Sequence, residues 1–132
     1  MYKKTIAYTD YNGNQREEDF YFNLNASEIV KLEVTTEGGL EAYVREISST
    51  LDGQRIMEFF EKLIETSYGK KSLDGRSFIK RPEYFEEFKG TEAYNTLFLE
   101  LIQDAEAGVK FFNAVVPQDV AKAKTAIPES VN

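Results

Sequence analysis

Apolar and polar residues alternate along Tyr2–Thr9, where Tyr2, Ile6 and Tyr8 take even positions, and again at Phe20, Phe22 and Leu24. A period of two marks half-buried strands, and Asn12-Gly13 between the two segments marks a hairpin turn. A two-residue turn would send the two apolar sets to opposite faces. An odd-length loop puts Ile6 and Tyr8 on the face of Phe20 and Phe22. The sequence therefore predicts an odd loop with Gly13 left-handed at a bulge. The run Arg16-Glu17-Glu18-Asp19 would then sit at or near the exposed end.

From Asn25 the period becomes helical. Asn25 can cap a first helix, with Glu28 completing a capping box. Ile29, Val30, Leu32 and Val34 supply its apolar face, and Gly38-Gly39 ends it. Leu40, Tyr43, Val44, Ile47 and Leu51 form the cleanest amphipathic stripe, in a second helix. Asp52 caps a third, Gly53–Tyr68, with Gly69 at its C-terminal boundary. Its apolar residues Ile56, Met57, Phe59, Phe60, Leu63, Ile64 and Tyr68 cover more than one stripe, as in a helix flanked on two sides. Pro82 opens a short helix carrying Tyr84, Phe85 and Phe88 and closed by Gly90. Thr91 caps the next, whose Ala93, Tyr94, Leu97, Phe98, Leu101 and Ile102 make a seam. Asp104 caps the last, in which Val109, Phe112 and Val116 share a face and Pro117 ends the run.

These elements predict an α+β, mainly α fold: an N-terminal β-hairpin packed on a bundle of about five or six helices, with a small hairpin or turn at 70–80. Residues 1–117 are expected to form one globular domain. Residues 118–132, QDVAKAKTAIPESVN to the end, are Ala-rich and polar and read as a flexible tail.

Composition narrows the function by exclusion. The chain has 132 residues, 42% of them hydrophobic and 14% aromatic. That is enough for a core without metal or disulfide support. It has no Cys and no His, which removes thiol chemistry, thiolate metal sites and an imidazole base. A net charge of −7 opposes general nucleic-acid binding. No apolar run is long enough to span a bilayer, and MYKKTIAYTD lacks the apolar core of a signal peptide. The expectation is a non-enzymatic protein that needs no cofactor and no metal and binds neither nucleic acid nor membrane.

The segment SYGKKSLDGRSFIKRPE carries Lys70, Lys71, Arg76, Lys80 and Arg81. Gly69-Lys70-Lys71-Ser72 echoes a phosphate-binding loop, but a second Lys separates Gly-Lys from Ser and Ile64 holds the upstream glycine position. Asp74-Gly75 predicts a tight turn instead. Asp10, Asn12 and Asn14 have the spacing that opens a calcium loop, yet Gln15 and Tyr21 stand where Gly and Glu are required. Carboxylate pairs such as Glu58, Glu61 and Glu65 arise by chance in so acidic a chain. The plainer readings are that the basic residues Lys70, Lys71, Arg76, Lys80 and Arg81 solvate a loop and that Tyr84, Phe85 and Phe88 belong to the core. As surfaces for a partner, the candidates are those same aromatic positions and the basic turn with Lys70, Lys71 and Arg76.

Taken in order, DFYFNLNASEI, TTEGGLEAYVREI, SYGKKSLDGRSFIK and FKGTEAYNTLFLELIQDAEAGVKFFNAVVP resemble the tail assembly chaperones of long-tailed phages and prophages of Gram-positive bacteria. The resemblance covers residues 2 to 117. It implies a non-enzymatic assembly factor that binds the tape measure protein, a long helical and partly apolar polypeptide, and keeps it soluble while tail tube subunits polymerise. It further implies contact with the tail tube protein, self-association, action in the cytoplasm of the bacterial host, and absence from the finished virion. Many such proteins exist in a short and a frameshifted long form, and VPQDVAKAKTAIPESVN would suit a short one. No catalytic residue is carried over.

Two alternatives come from other classes. A structural tail protein of the virion would be mostly β sheet, unlike this helical pattern. A small acidic phage protein that binds a host factor would array its carboxylates on one face, whereas here they are interspersed with Lys and Arg.

Overall fold

The first two strands pair as the alternation requires. The computed structural model describes residues 1–49 and 52–116. Strand β1 (Tyr2–Thr9) runs antiparallel to β2 (Gln15–Phe22), with Tyr2 opposite Phe22, Ile6 opposite Glu18 and Thr9 opposite Gln15. The loop between them is odd in length, and Gly13 is left-handed at φ 86°. Asp10 organises it: one carboxylate oxygen accepts the N–H groups of Asn12 and Asn14, each at 2.9 Å, and the other accepts Arg16 Nε at 2.6 Å. The Arg16 guanidinium and those N–H groups hold the Asp10 carboxyl down at about 2. The calcium-like spacing thus serves the turn. Arg16, Glu17 and Asp19 are exposed, as expected of the hairpin's outer end.

Six helices and a four-stranded antiparallel sheet make up the described residues, so the fold is α+β and mainly α. The helices are α1 (Ala26–Thr35), α2 (Gly39–Ser49), α3 (Gly53–Ser67), α4 (Pro82–Lys89), α5 (Glu92–Gln103) and α6 (Ala105–Val115). Their caps are local devices visible in the sequence. Asn25 accepts Glu28 N–H at 2.8 Å while Glu28 accepts Asn25 N–H at 3.0 Å. Together these bonds complete the capping box. Asp52, Thr91 and Asp104 accept first-turn N–H groups of α3, α5 and α6. Gly90 closes α4.

The sheet holds what the sequence reading did not foresee. Strands β3 (Tyr68–Lys71) and β4 (Phe78–Ile79) do form the small hairpin expected at 70–80, around an Asp74-Gly75 turn with Gly75 at φ 74°. That hairpin also joins the N-terminal one, in the order β1-β2-β3-β4, through Tyr21 opposite Gly69 and Phe22 opposite Tyr68. Asp10 N–H bonds Asn14 O and Asn23 N–H bonds Ser67 O. Antiparallel ladders alternate bonded and non-bonded pairs, so even residues of β2 bond to β1, while β3 pairs only with the end of β2, at Tyr21 and Phe22. Gly69 is therefore a strand residue and not the helix boundary predicted. Helix α3 stops at Ser67 and passes into β3 with no loop. A Cβ on Gly69 would lie 2.7 Å from both the Ile79 carbonyl oxygen and the Phe78 ring. Only glycine lets β4 approach so closely.

Aromatic rings weld sheet to helices. The Phe22 ring is fully buried, with its centroid 5.2 Å from Phe111, 5.7 Å from Tyr68 and 6.1 Å from Phe88. Phe88 stacks on Tyr68 at 4.5 Å and on Phe20 at 4.8 Å. Burial raises the phenols of Tyr68 and Tyr94 to about 12. Two apolar faces depart from the sequence reading. On α1, Val34 is exposed while Glu33 is buried and accepts Leu40 N–H at 2.8 Å, capping α2. On α6, Val109 is exposed, and the core face is Gly108, Phe111, Phe112 and Val115. Leu51, Pro117 and the predicted tail 118–132 lie outside the described residues.

Candidate functional site

Of the predicted partner residues, the structure separates the aromatic helix from the surface. Phe85 and Phe88 are 5% and 2% exposed and belong to the core. Tyr84 is half-buried, with Lys70 Nζ 4.6 Å from its ring centroid and the Arg81 guanidinium at 5.8 Å. Lys71 lies 4.5 Å over the Tyr21 ring, and Arg76 is exposed in the Asp74-Gly75 turn. Lys70 and Tyr84 are thus brought together, whereas Lys71, the next residue of the strand, points to the opposite face over Tyr21. Arg76 stands apart, beyond the strand ends.

A larger concave surface lies on the helical side. A groove of about 800 Å³ opens among α1, α2, α3 and the end of α6. Leu32 comes from α1, Leu40 and Tyr43 from α2, Phe59 and Leu63 from α3, and Val116 follows α6. Phe59 carries the floor: its centroid is 5.3 Å from Tyr43, 5.1 Å from Phe60 and 6.1 Å from Phe112. The rim is charged, with Glu37, Glu46 and Glu58 against Arg55 and Lys62, and Arg55 paired to Glu46. A smaller hollow of about 270 Å³ meets the same Phe59 and Phe112 from the far side, lined by Val44, Ile56 and the exposed Val109. An open apolar trough with a polar edge suits an amphipathic helix laid along it.

The sequence reading did not assign this groove, because four separated elements supply it. One signal was present. Helix α3 buries Phe60, Leu63, Ile64 and Ser67 in the core, so Phe59 and Met57 fall off that stripe. Apolar residues beyond what one face needs were the trace of a second surface. As to other chemistry, among the described residues no cluster of three or more His, Cys, Asp or Glu is placed to hold a metal. Nor is any described helix long and apolar enough to cross a membrane.

A family model described as phage tail assembly chaperone matches residues 1–131. No curated protein and no solved structure matches the chain.

Proposed function

The chain belongs to the phage tail assembly chaperone family, and from that membership we propose that it binds the tape measure protein and keeps it soluble while the tail tube assembles. Membership implies phage tail proteins as partners, a role inside the host cell and no enzymatic activity. The finer reading rests on one observation, the apolar groove floored by Phe59, Tyr43 and Leu63 and rimmed by charge. A long, partly apolar helix needs such a trough to hide its greasy side. The net charge of −7 would oppose clumping of the complex. Lys70, Lys71, Arg76 and Tyr84 would add a basic contact for acidic stretches of the same partner, while Phe85 and Phe88 stay in the core. The protein would act in the cytoplasm, meet the tail tube protein in passing, and be missing from the finished virion.

Co-expression with the cognate tape measure protein tests this. The wild-type chain should co-purify with its partner and raise its soluble fraction. Leu32→Glu, which puts a charge on the half-buried groove wall, should lower recovery at least about tenfold while far-UV circular dichroism is kept. If the wild-type chain neither retains nor solubilises the tape measure protein, the proposal fails.

A further inference from the structure

Strand β1 is the outermost strand of the sheet, and its outer edge is unsatisfied. Its even residues bond to β2, so Lys3, Thr5, Ala7 and Thr9 aim their N–H and C=O groups away from the molecule. All four residues are exposed. Among the described residues no backbone hydrogen bond outside the β1–β2 ladder involves this strand. Tyr2–Thr9 contains no Pro and no Gly, and its pairing with β2 is unbroken over its 8 residues. Proline, bulges and charged side chains are among the usual protections of an edge; β1 has neither of the first two, and of its outward residues Lys3 alone is charged.

We propose that this edge receives β1 of a second copy of the chain, antiparallel, giving a two-fold dimer whose sheet is continuous across both molecules. Charge selects the occupant and the register. Like faces must meet, so Lys3, Thr5 and Ala7 pair among themselves. A register that sets Lys4 against the partner's Lys4 opposes like charges on one face. Centring the axis on Ile6 sets Lys3 against the partner's Thr9, with only neutral Gln15 beyond. Centring it on Thr5 sets Lys3 against the partner's Ala7, whose own neighbour on β2 is Glu17. Strands lie about 4.8 Å apart, so Lys3 and the partner's Glu17 stand about 10 Å apart at the backbone, within the combined reach of both side chains. The small Ala7 between them leaves the path clear. Lys3 and Glu17 are exposed, and neither has an ion pair among the described residues. Two-fold symmetry makes this cross-strand pair twice, around about six new backbone hydrogen bonds.

Sedimentation equilibrium on the isolated chain tests the dimer without any phage partner, so its outcome is separate from that of the groove. The wild type should sediment at twice the chain mass in the micromolar range. Ala7→Pro removes an outward N–H without touching the β1–β2 ladder, and should abolish the dimer while keeping circular dichroism and melting temperature. Lys3→Glu should weaken it by about tenfold, and the exchange Lys3→Glu with Glu17→Lys should restore it. A monomeric wild type overturns the proposal, as does an assembly indifferent to both single variants. Weakening that the charge exchange does not rescue overturns the register.

Discussion

Lys80 shows how one side chain can be misplaced by reasoning from its neighbours in sequence. Among the basic residues of its segment it looks like part of a solvated loop. In the structure its ammonium lies 2.8 Å and 2.9 Å from the two Glu28 oxygens and 2.8 Å from the Thr66 carbonyl. It therefore ties the start of α1, the last turn of α3 and the end of β4 at one point. Replacing it with Met keeps the stem and leaves Glu28 and the Thr66 carbonyl without this donor. Charge-assisted bonds at a site this open to water should contribute about 1–2 kcal/mol, read as a lower urea midpoint with unchanged slope. An unchanged midpoint would mean water replaces the ammonium at no cost. The Asn25–Glu28 capping box was legible because its partners stand three residues apart. The Lys80–Glu28 pair spans 52 residues, and no local pattern points to it.

Elements were legible wherever their signals were local. The caps at Asn25, Asp52, Thr91 and Asp104 and the odd hairpin loop all followed from short-range rules. What periodicity missed were positions where a small residue or a distant strand sets the geometry. Gly108 on α6 is the clearest. A Cβ there would come within 2.7 Å of the Phe60 ring and 3.0 Å of the Leu101 carbonyl oxygen, so glycine lets α6 close onto α3 and the end of α5. Counting apolar residues gives glycine no weight, and the predicted face slid to Val109. Gly108→Ala should gain about 1 kcal/mol of helix propensity and lose about 1–3 kcal/mol to overpacking. The expected result is a melting temperature lower by a few degrees; a rise would show that α6 has room to spare. Gly69 acts alike in the sheet, and there too the partner, β4, was out of local sight.

At the scale of the whole molecule, the two hairpins and the helices share one aromatic cluster centred on Phe22, Tyr68 and Phe88. The fold class was readable from element type, but the merging of the hairpins into one sheet was not, because Tyr21 and Gly69 meet across three intervening helices. Such sharing predicts one cooperative transition. The chain has no Trp, so Phe59→Trp gives a background-free reporter in the groove floor. Its fluorescence and the far-UV circular dichroism should trace a single denaturant curve. Separate midpoints would mean that the groove wall melts on its own.

Because β2 waits for β3, the N-terminal hairpin faces an interval of risk during translation. Between Phe22 and Tyr68 the ribosome must add roughly fifty residues, about 2–10 s of synthesis. Through that time the end of β2, at Tyr21, offers the backbone groups that β3 will take to neighbouring nascent chains on the same message. Glu17, Glu18 and Asp19 precede the stretch that β3 covers and crowd the strand with negative charge, so two newborn copies repel along it, and go on repelling after folding.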